Sequence, residues 1–214
     1  MRTNRLEARN SARGRNSAFA MSTYDIAVTE RLILRHFHIV DAEPMYRVFG
    51  DTEVMRFGDG VQTQEWVQTW LQTCLEHYYQ TWGFGPYAVV EQRSQDVIGY
   101  CGLFYFPDIN GQPEVEIGYR LARRAWEKGY ATEAAQAVRE YAFYSLGIKR
   151  LIAIIDPSNA ASIRVAKKIG MQFEAEVMLE GYNHPDHVYV VMKSDPNPAT
   201  LPPANETLVD GVCA

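Results

Sequence analysis

The spacing of apolar residues along the chain changes between a period of two and a period near 3.6, which predicts a mixture of strands and helices. The segment RLILRH alternates polar and apolar positions, as a half-buried strand does. Further apolar segments between turn residues predict more strands. The predicted strands are residues 31–36, 86–92, 96–106, 114–122, 150–155, about 172–178 and 186–193.

Helical spacing marks four other segments. In the clearest of them, Trp66, Trp70 and Leu75 fall on one face of an amphipathic helix. Asp41 is a candidate N-cap for an earlier, shorter helix. The predicted helices are about 41–49, 63–81, 129–145 and 158–169.

The connections between predicted elements indicate the fold class. The linker RSQ between strands 86–92 and 96–106 is short enough for a hairpin, and PDINGQP (107–113) is a turn-rich link to the next strand. The front half of the fold is therefore predicted to be largely antiparallel. With helices between the later strands, the class is mixed, α/β (α+β).

Both ends of the chain differ in composition from the middle. Residues 1–22 are rich in Arg, Asn, Ser and Ala, and residues 194–214 contain four prolines within ten residues. Such segments cannot bury enough apolar surface to fold, so a disordered arm and a disordered tail are predicted around one domain, residues 23–193. Met21 is a candidate natural start, and a functional basic arm is the alternative.

Charge and cysteine content narrow the function classes. The net charge of −5 argues against nucleic acid as the main partner, because phosphate binding needs a basic surface. Cys74, Cys101 and Cys213 show no metal-type spacing and no disulfide framework. No apolar run approaches the roughly 20 residues of a membrane span. A cytoplasmic protein that associates with neither nucleic acid nor membrane is expected.

Residues 120–134, RLARRAWEKGYATEA, lead from a predicted strand into a predicted helix. Helix N-termini leave backbone N–H groups unpaired and carry the positive end of the dipole, so they bind phosphate. Gly129 permits a tight turn and a close approach of phosphate to the backbone, and Ala131 is small. Taken alone, a Gly-x-Ala sequence indicates only an ordinary glycine in a loop before a helix. Its position before an amphipathic helix favours a phosphate site.

The string WEKGYA, residues 126–131, resembles the acyl-coenzyme A signature Q/R-x-x-G-x-G/A of the GNAT acyltransferase superfamily. Trp126 replaces the usual Gln or Arg, a departure common in the branch resembling ribosomal-protein N-terminal acetyltransferases. The strings TERLILR (29–35) and NAASIRVAKKIGM (159–171) resemble the same branch, with Lys167 and Met171 replacing the usual Glu and Phe.

The resemblance covers about residues 27–193 and implies a central splayed sheet of about six or seven strands flanked by about four helices. It also implies that acetyl-coenzyme A is the co-substrate and that no metal takes part. The residues it implies for coenzyme binding are Leu121, Ala122, Arg123, Trp126, Glu127, Lys128, Gly129, Tyr130, Ala131, Thr132, Asn159, Ser162 and Lys168.

Acetyl transfer to an amine needs a base, a polarised carbonyl with its oxyanion stabilised, and a stabilised thiolate. Glu114 and Glu116 alternate on one strand and share a face, so both are candidate bases, and Glu116 is favoured because it lies nearer the coenzyme loop. The resemblance implies a backbone N–H near Leu121 for the oxyanion. Ala166 replaces a Tyr that many members use as the acid, and Ser162 is the substitute that the branch suggests.

The acceptor is left open between a peptide N-terminus and a small amine. A non-catalytic acyl-coenzyme A sensor, and a transferase for another acyl group, are the competing hypotheses. A dinucleotide-binding enzyme is disfavoured because no G-x-G-x-x-G follows an early strand. His184, His187 and Asp186 lie in a predicted turn and form no convincing metal cluster. Exposed aromatic residues on the 63–82 helix suit either a homodimer interface or a pocket lid.

Overall fold

A computed structural model of the chain describes residues 25–194. The arm predicted at 1–22 and, apart from its first residue, the tail predicted at 194–214 lie outside the described residues.

The described chain forms one eight-stranded sheet in the order β1-β2-β3-β4-β5-β6-β8-β7. All neighbouring strands are antiparallel except β5 and β6, which are parallel. The strands are β1 (Asp25–Val28), β2 (Leu32–Arg35), β3 (Pro86–Glu91), β4 (Val97–Ile109), β5 (Gln112–Leu121), β6 (Arg150–Ile155), β7 (Gln172–Val177) and β8 (Asp186–Met192).

The mixed class and the seven predicted strands are confirmed, and the estimate of six or seven strands falls one short. The additional strand is β1, four half-buried residues at the sheet edge. Its stability comes from pairing with β2 rather than from an alternating pattern of its own, so its sequence carries little signal. The link predicted at 107–113 is also shorter than expected, because Asn110 and Gly111 both have positive φ and close a tight hairpin.

The helices agree with the four predicted segments and add one short helix. They are α1 (Ala42–Phe49), α2 (Thr52–Met55), α3 (Gln64–Thr73), α4 (Tyr79–Thr81), α5 (Tyr130–Glu140) and α6 (Ala160–Lys168). A π-helical turn, Cys74–Tyr78, joins α3 to α4, and another, Tyr141–Ser145, follows α5. None of the described helices combines the length and the apolar character needed to cross a bilayer.

Asp41 precedes α1 as expected, but its carboxylate does not cap that helix. It accepts hydrogen bonds from the His38 N–H at 2.7 Å and from the Arg35 guanidinium at 2.7 and 3.0 Å. The prediction of a side-chain cap was wrong because the nearby guanidinium and a preceding 3₁₀ turn, Ile39–Asp41, turn the carboxylate backward along the chain.

Two hydrophobic layers cover the sheet. On one face α5 and α6 pack against residues such as Leu103, Ile117 and Leu151. On the other face α1 and α3 pack against Ala88, Val90 and Tyr100. Between these layers, the sheet changes from antiparallel to parallel pairing at the junction of β5 and β6.

The β5–β6 junction is splayed. Glu116 and Ile152 are the one residue pair in register between these two strands. Beyond it β5 continues to Leu121 in pairing with β4 alone, while β6 continues to Ile155 in pairing with β8. The backbone groups on the facing sides of the two strands therefore border a gap, as the splayed sheet of the sequence analysis requires.

Candidate active site

Glu116 lies at the closed end of the gap between β5 and β6. The backbone N–H of Ile154 donates a 3.2 Å hydrogen bond to Glu116 Oε1, so the carboxylate bridges the two strands. Desolvation raises the pKa of Glu116 to about 7, although the Ile154 N–H and the Arg120 charge act in the opposite direction. A carboxylate with this pKa accepts a proton near neutral pH.

Glu114, the other candidate base, is buried and fully engaged. Its carboxylate accepts hydrogen bonds from Arg150 Nε at 2.9 and 3.1 Å and from Gln112 Nε2 at 2.7 Å. Arg150 also binds Glu174 on β7, with Nη1 3.1 Å from Oε1. The structure thus gives the two glutamates different surroundings: Glu114 ties β5 to β6, and Glu116 faces the gap.

Tyr119 and Ser162 lie across the gap from each other. The Tyr119 hydroxyl donates a 3.2 Å hydrogen bond to Ser162 Oγ in the first turn of α6. Burial raises the pKa of Tyr119 to about 12, so its hydroxyl remains protonated at neutral pH. Sequence reasoning singled out Ser162 but missed Tyr119. Strand alternation was the available signal, since it places Ile117, Tyr119 and Leu121 on the face that α6 covers.

Asn159 is the N-cap of α6. Its Oδ1 accepts the Ser162 N–H at 3.1 Å, which orients the first turn of the helix. Its side-chain oxygen therefore has a capping role, and only the side-chain amide nitrogen is available for a ligand. Ala166, where a Tyr acid was noted as missing, is buried against the sheet.

The loop before α5 has the backbone of an anion site. Glu127 and Gly129 have φ of +61° and +83°, and Gly129 occupies the N-cap position of α5 with no side-chain cap. The first N–H groups of an 11-residue helix are consequently left without an intrahelical partner. Successive amides around left-handed residues form a concavity that binds anions. Ala131 and Thr132, both half-buried, continue this first turn.

Contacts from Arg31, which directly precedes β2, and from the end of β5 hold this loop in place. Arg31 donates to the Lys128 carbonyl at 2.8 Å and, through Nε, to Glu133 Oε2 at 2.7 Å. The Trp126 indole donates to the Leu121 carbonyl at 2.7 Å. Trp126 therefore anchors the loop to the end of β5, which accounts for an aromatic residue at this position. Tyr130 is also structural, because its buried ring places the hydroxyl 2.5 Å from Glu91.

Several polar groups of residues 121–123 already have protein partners. The Leu121 carbonyl accepts the Trp126 indole, and the Ala122 N–H donates to the Ile98 carbonyl at 2.8 Å. The Arg123 side chain binds Asp51 at 2.7 Å. Lys168 lies in the last turn of α6, about 13 Å along the helix from Asn159, so these two side chains cannot contact the same group.

Cys101 and the aromatic side chains of residues 82–105 and 182 occupy both core and surface positions. Burial raises the pKa of the Cys101 thiol, which excludes it as a thiolate nucleophile. Tyr87 and Phe84 are core residues, whereas Trp82 stacks on Tyr105 with centroids 4.3 Å apart. Tyr182 is partly exposed and donates a 3.2 Å hydrogen bond to Asp59 across the mouth of the gap.

Arg120 occupies the acceptor side of the gap, on the face that also carries Glu116. Its guanidinium donates to the Val54 carbonyl at 3.4 Å and lies over Gly58, where an added Cβ would be 2.3 Å from Nη2. Gly58 leaves room for this close approach. The segment after α2 therefore lies against the guanidinium on the face of the sheet that carries Glu116.

Comparison with known proteins agrees with this architecture. Residues 31–172 match the family model described as an acetyltransferase (GNAT) domain. The uncharacterized protein YkkB of Bacillus subtilis (strain 168) is 37% identical over 167 residues, which are 76% of this chain and 92% of YkkB. The uncharacterized N-acetyltransferase p20 of Bacillus licheniformis is 32% identical over 160 residues, 72% of this chain and 85% of p20.

A solved structure of RimL, a ribosomal L7/L12 alpha-N-protein acetyltransferase in complex with coenzyme A, superposes with a TM-score of 0.66. It is 21% identical in sequence, and the match covers 78% of this chain and 97% of RimL. At this identity the likeness concerns the fold. Together with the family match over most of the described residues, it identifies the chain as a member of the GNAT acetyltransferase family, an N-acyltransferase enzyme.

Proposed function

We propose that this enzyme transfers the acetyl group of acetyl-coenzyme A directly to a primary amine within a ternary complex. The observation that carries the proposal is the position of Glu116, a carboxylate with a pKa near 7 in the gap between β5 and β6. The uncapped N-terminus of α5 supports it by offering backbone donors for the pyrophosphate. RimL, which shares this fold and was solved in complex with coenzyme A, supports coenzyme A as the carrier of the acyl group.

In the proposed reaction, Glu116 removes a proton from the acceptor ammonium, directly or through water. The neutral amine attacks the thioester carbonyl, and the backbone N–H near Leu121 stabilises the oxyanion. The tetrahedral intermediate then collapses, breaking the carbon–sulfur bond. Ser162 donates its hydroxyl proton to the departing thiolate and recovers one from Tyr119, to which it is hydrogen-bonded. Solvent water then takes up the second proton of the attacking nitrogen and returns one to the Tyr119 phenolate, so that the products are the amide and the free thiol.

The remaining residues of the loop hold the co-substrate in this scheme. Backbone N–H groups of residues 129–132 bind the pyrophosphate, with Lys128 adding charge at the surface. Asn159 binds the pantetheine amide through its side-chain nitrogen, since its oxygen caps α6. Arg123 and Trp126 contribute by fixing the loop, because their polar groups already have protein partners.

The test combines coenzyme A binding, measured by calorimetry, with thiol release from acetyl-coenzyme A in the presence of a panel of peptides and amines. We expect binding, turnover with at least one amine, and a loss of about 10²- to 10⁴-fold in kcat for Glu116→Gln with binding retained. Glu140→Gln, an exposed carboxylate on the opposite face of the sheet, is the matched control. Binding without turnover for every acceptor would instead indicate a sensor.

A further inference from the structure

Two carboxylates face each other at the open end of the β6–β8 pair. The register pairs Ile154 with Val188 and Ile155 with His187, and continuing it by one residue places Asp156 opposite Asp186. Like charges directly opposite each other destabilise a sheet. An arrangement of this kind favours the binding of a cation between them.

The oxygen atoms of the pair are oriented toward one point. Asp156 Oδ1 accepts the Ser158 N–H at 2.7 Å and the Ser158 hydroxyl at 2.6 Å, which leaves Oδ2 directed at His184. Asp186 is only 7% exposed, and its Oδ1 has no hydrogen-bond partner among the described residues. A buried acceptor without a partner costs about 1–3 kcal/mol, so this atom favours an additional donor.

His184 lies beside both carboxylates without forming a short hydrogen bond to either. Its Nε2 is 3.6 Å from Asp156 Oδ2, and its Nδ1 is 3.6 Å from Asp186 Oδ1. The ring side chain is 43% exposed, and it follows the exposed turn at Gly181 and Tyr182. It therefore borders the space between the carboxylates on the solvent side.

This cluster lies on the acceptor side of the sheet, next to the proposed base. Glu116 pairs in register with Ile152, and alternation along β6 and β8 places Ile154 and Asp186 on the same face. The Asp186 charge adds to the desolvation that raises the pKa of Glu116. Tyr182 donates a hydrogen bond to Asp59, and the charges of Asp186 and Arg120 both act on the Tyr182 hydroxyl, so these side chains lie on the same side of the sheet.

We propose that Asp156, His184 and Asp186 form a subsite for a second ammonium group of the acceptor, so that the preferred acceptors are small diamines or polyamines. This inference rests on the proposed function. An ammonium group carries three donors, which can reach Asp186 Oδ1 and Asp156 Oδ2 together. With one amine held here, the other amine of the same molecule reaches Glu116.

An organic cation suits the cluster better than a metal ion. The three side chains offer one donor atom each, and those atoms lie within 4.8 Å of one another. Structural zinc sites take four protein ligands, and calcium and magnesium sites surround the ion with six or more oxygen atoms, whereas this cluster offers two carboxylate oxygens and one imidazole nitrogen. The neighbouring carboxylate, Glu116, already has its Oε1 bound to the Ile154 N–H.

The experiment compares 1-pentylamine with 1,5-diaminopentane in thiol-release assays at saturating acetyl-coenzyme A. We expect kcat/KM for the diamine to be at least about tenfold higher, with the difference mainly in KM, because a charged hydrogen-bonded contact is gained. Asp186→Asn and Asp156→Asn should each lower this ratio toward one, while Glu140→Gln should preserve it. Thermal melting checks that both variants fold, and removing one of two opposed charges should not lower Tm.

Direct binding separates the subsite from the reaction. Calorimetric titration of 1,5-diaminopentane into protein saturated with coenzyme A should give heat in the wild type and at least tenfold weaker binding in Asp186→Asn. Equal kcat/KM for the two amines, or a diamine affinity unchanged in Asp186→Asn, would overturn the subsite while leaving acetyl transfer intact. Binding of Mn²⁺ that depends on Asp186, without diamine binding, would also overturn it. Diamine binding without any turnover would overturn the proposed function alone.

Discussion

Tyr119 on β5 donates its hydroxyl proton to Ser162 on α6, and this 3.2 Å hydrogen bond spans the gap where β5 and β6 separate. The pair brings together a buried phenol, whose pKa is raised to about 12, and a hydroxyl held in the first turn of a helix. Two hydroxyls in series supply a proton donor although residue 166 is Ala rather than Tyr. In the proposed reaction they protonate the departing thiolate.

Removing either hydroxyl should therefore slow transfer without weakening co-substrate binding. Tyr119→Phe and Ser162→Ala are each expected to lower kcat by about a hundredfold, because the thiolate then leaves without its proton. Since the two groups act as one relay, the double variant should lose little more than either single variant. Steady-state kinetics with acetyl-coenzyme A varied at saturating amine measures both kcat and KM.

Tyr144→Phe is the matched control, because this tyrosine is 66% exposed on the turn after α5. It should leave kcat unchanged. Losses in the two single variants that multiply in the double variant would show that Tyr119 and Ser162 act separately, which contradicts the relay.

The pH dependence of transfer should report Glu116. A general base acts in its ionised form, and desolvation raises the pKa of this carboxyl to about 7. Consequently kcat/KM should fall about tenfold per pH unit below pH 7 and level off above it, until the enzyme or the acceptor titrates again. Assays of thiol release from pH 5 to 9 give this profile.

Acceptors whose amines have different pKa values provide the control. The limb near pH 7 belongs to the enzyme, so it should stay in place when the acceptor changes, and it should be absent in Glu116→Gln. A limb that moves with the acceptor amine would assign the titration to the substrate and remove Glu116 as the base.

The sequence predicted the elements of the site better than the surroundings of its residues. Gly129 was placed at the start of a helix because a glycine between a strand and an amphipathic stripe is a local signal. Alternation puts Glu114 and Glu116 on one face, so the sequence favoured Glu116 only because it lies nearer the coenzyme loop. Their different surroundings appear only in the tertiary structure, because Arg150 on β6 binds Glu114 and leaves Glu116 in the gap.

The same limit applies to contacts that sequence reasoning missed. Tyr119 acquires a role only through its contact with Ser162, 43 residues away in sequence. Arg31 lies in the TERLILR string, but its bond to the Lys128 carbonyl bridges 97 residues. Pairings of such long sequence separation leave no periodic signal. Trp126, expected to be a ligand-binding position, is likewise explained by its indole bond to Leu121.

The loop before α5 should be sensitive to a side chain at Gly129. Its φ of +83° disfavours any residue with a Cβ, and the added atom would lie 3.4 Å from Arg31 Nη2. Gly129→Val is therefore expected to strain the turn and to obstruct the first amides of α5, weakening coenzyme A binding by at least about tenfold. Calorimetric titration of coenzyme A measures the change.

Gly147→Val is a suitable control beyond the π-helical turn that follows α5. Gly147 also has a positive φ, +71°, and no atom lies within 4 Å of its added Cβ. It should show a comparable loss of thermal stability with an unchanged coenzyme A affinity. Equal affinities in both variants would mean that the Gly129 turn does not hold the pyrophosphate.

The ion pair of Glu114 and Arg150 should matter for stability rather than for transfer. Glu114 is buried, and Arg150 links it to Glu174, so the pair ties β5 to β6 below the gap. Glu114→Gln removes a buried charged hydrogen-bond acceptor, whereas Arg150 keeps Glu174 as its partner, so the substitution should lower the free energy of unfolding by about 1.5–3 kcal/mol. Urea unfolding curves give this value.

Glu174 is the more exposed partner of the same guanidinium, with 42% of its side chain exposed. Glu174→Gln should therefore lower the free energy of unfolding by less than about 1 kcal/mol. Both variants should keep the wild-type kcat per mole of folded enzyme, because neither carboxylate faces the gap. A loss of kcat in Glu114→Gln comparable to that in Glu116→Gln, with the fold intact, would contradict the assignment of the base to Glu116 alone.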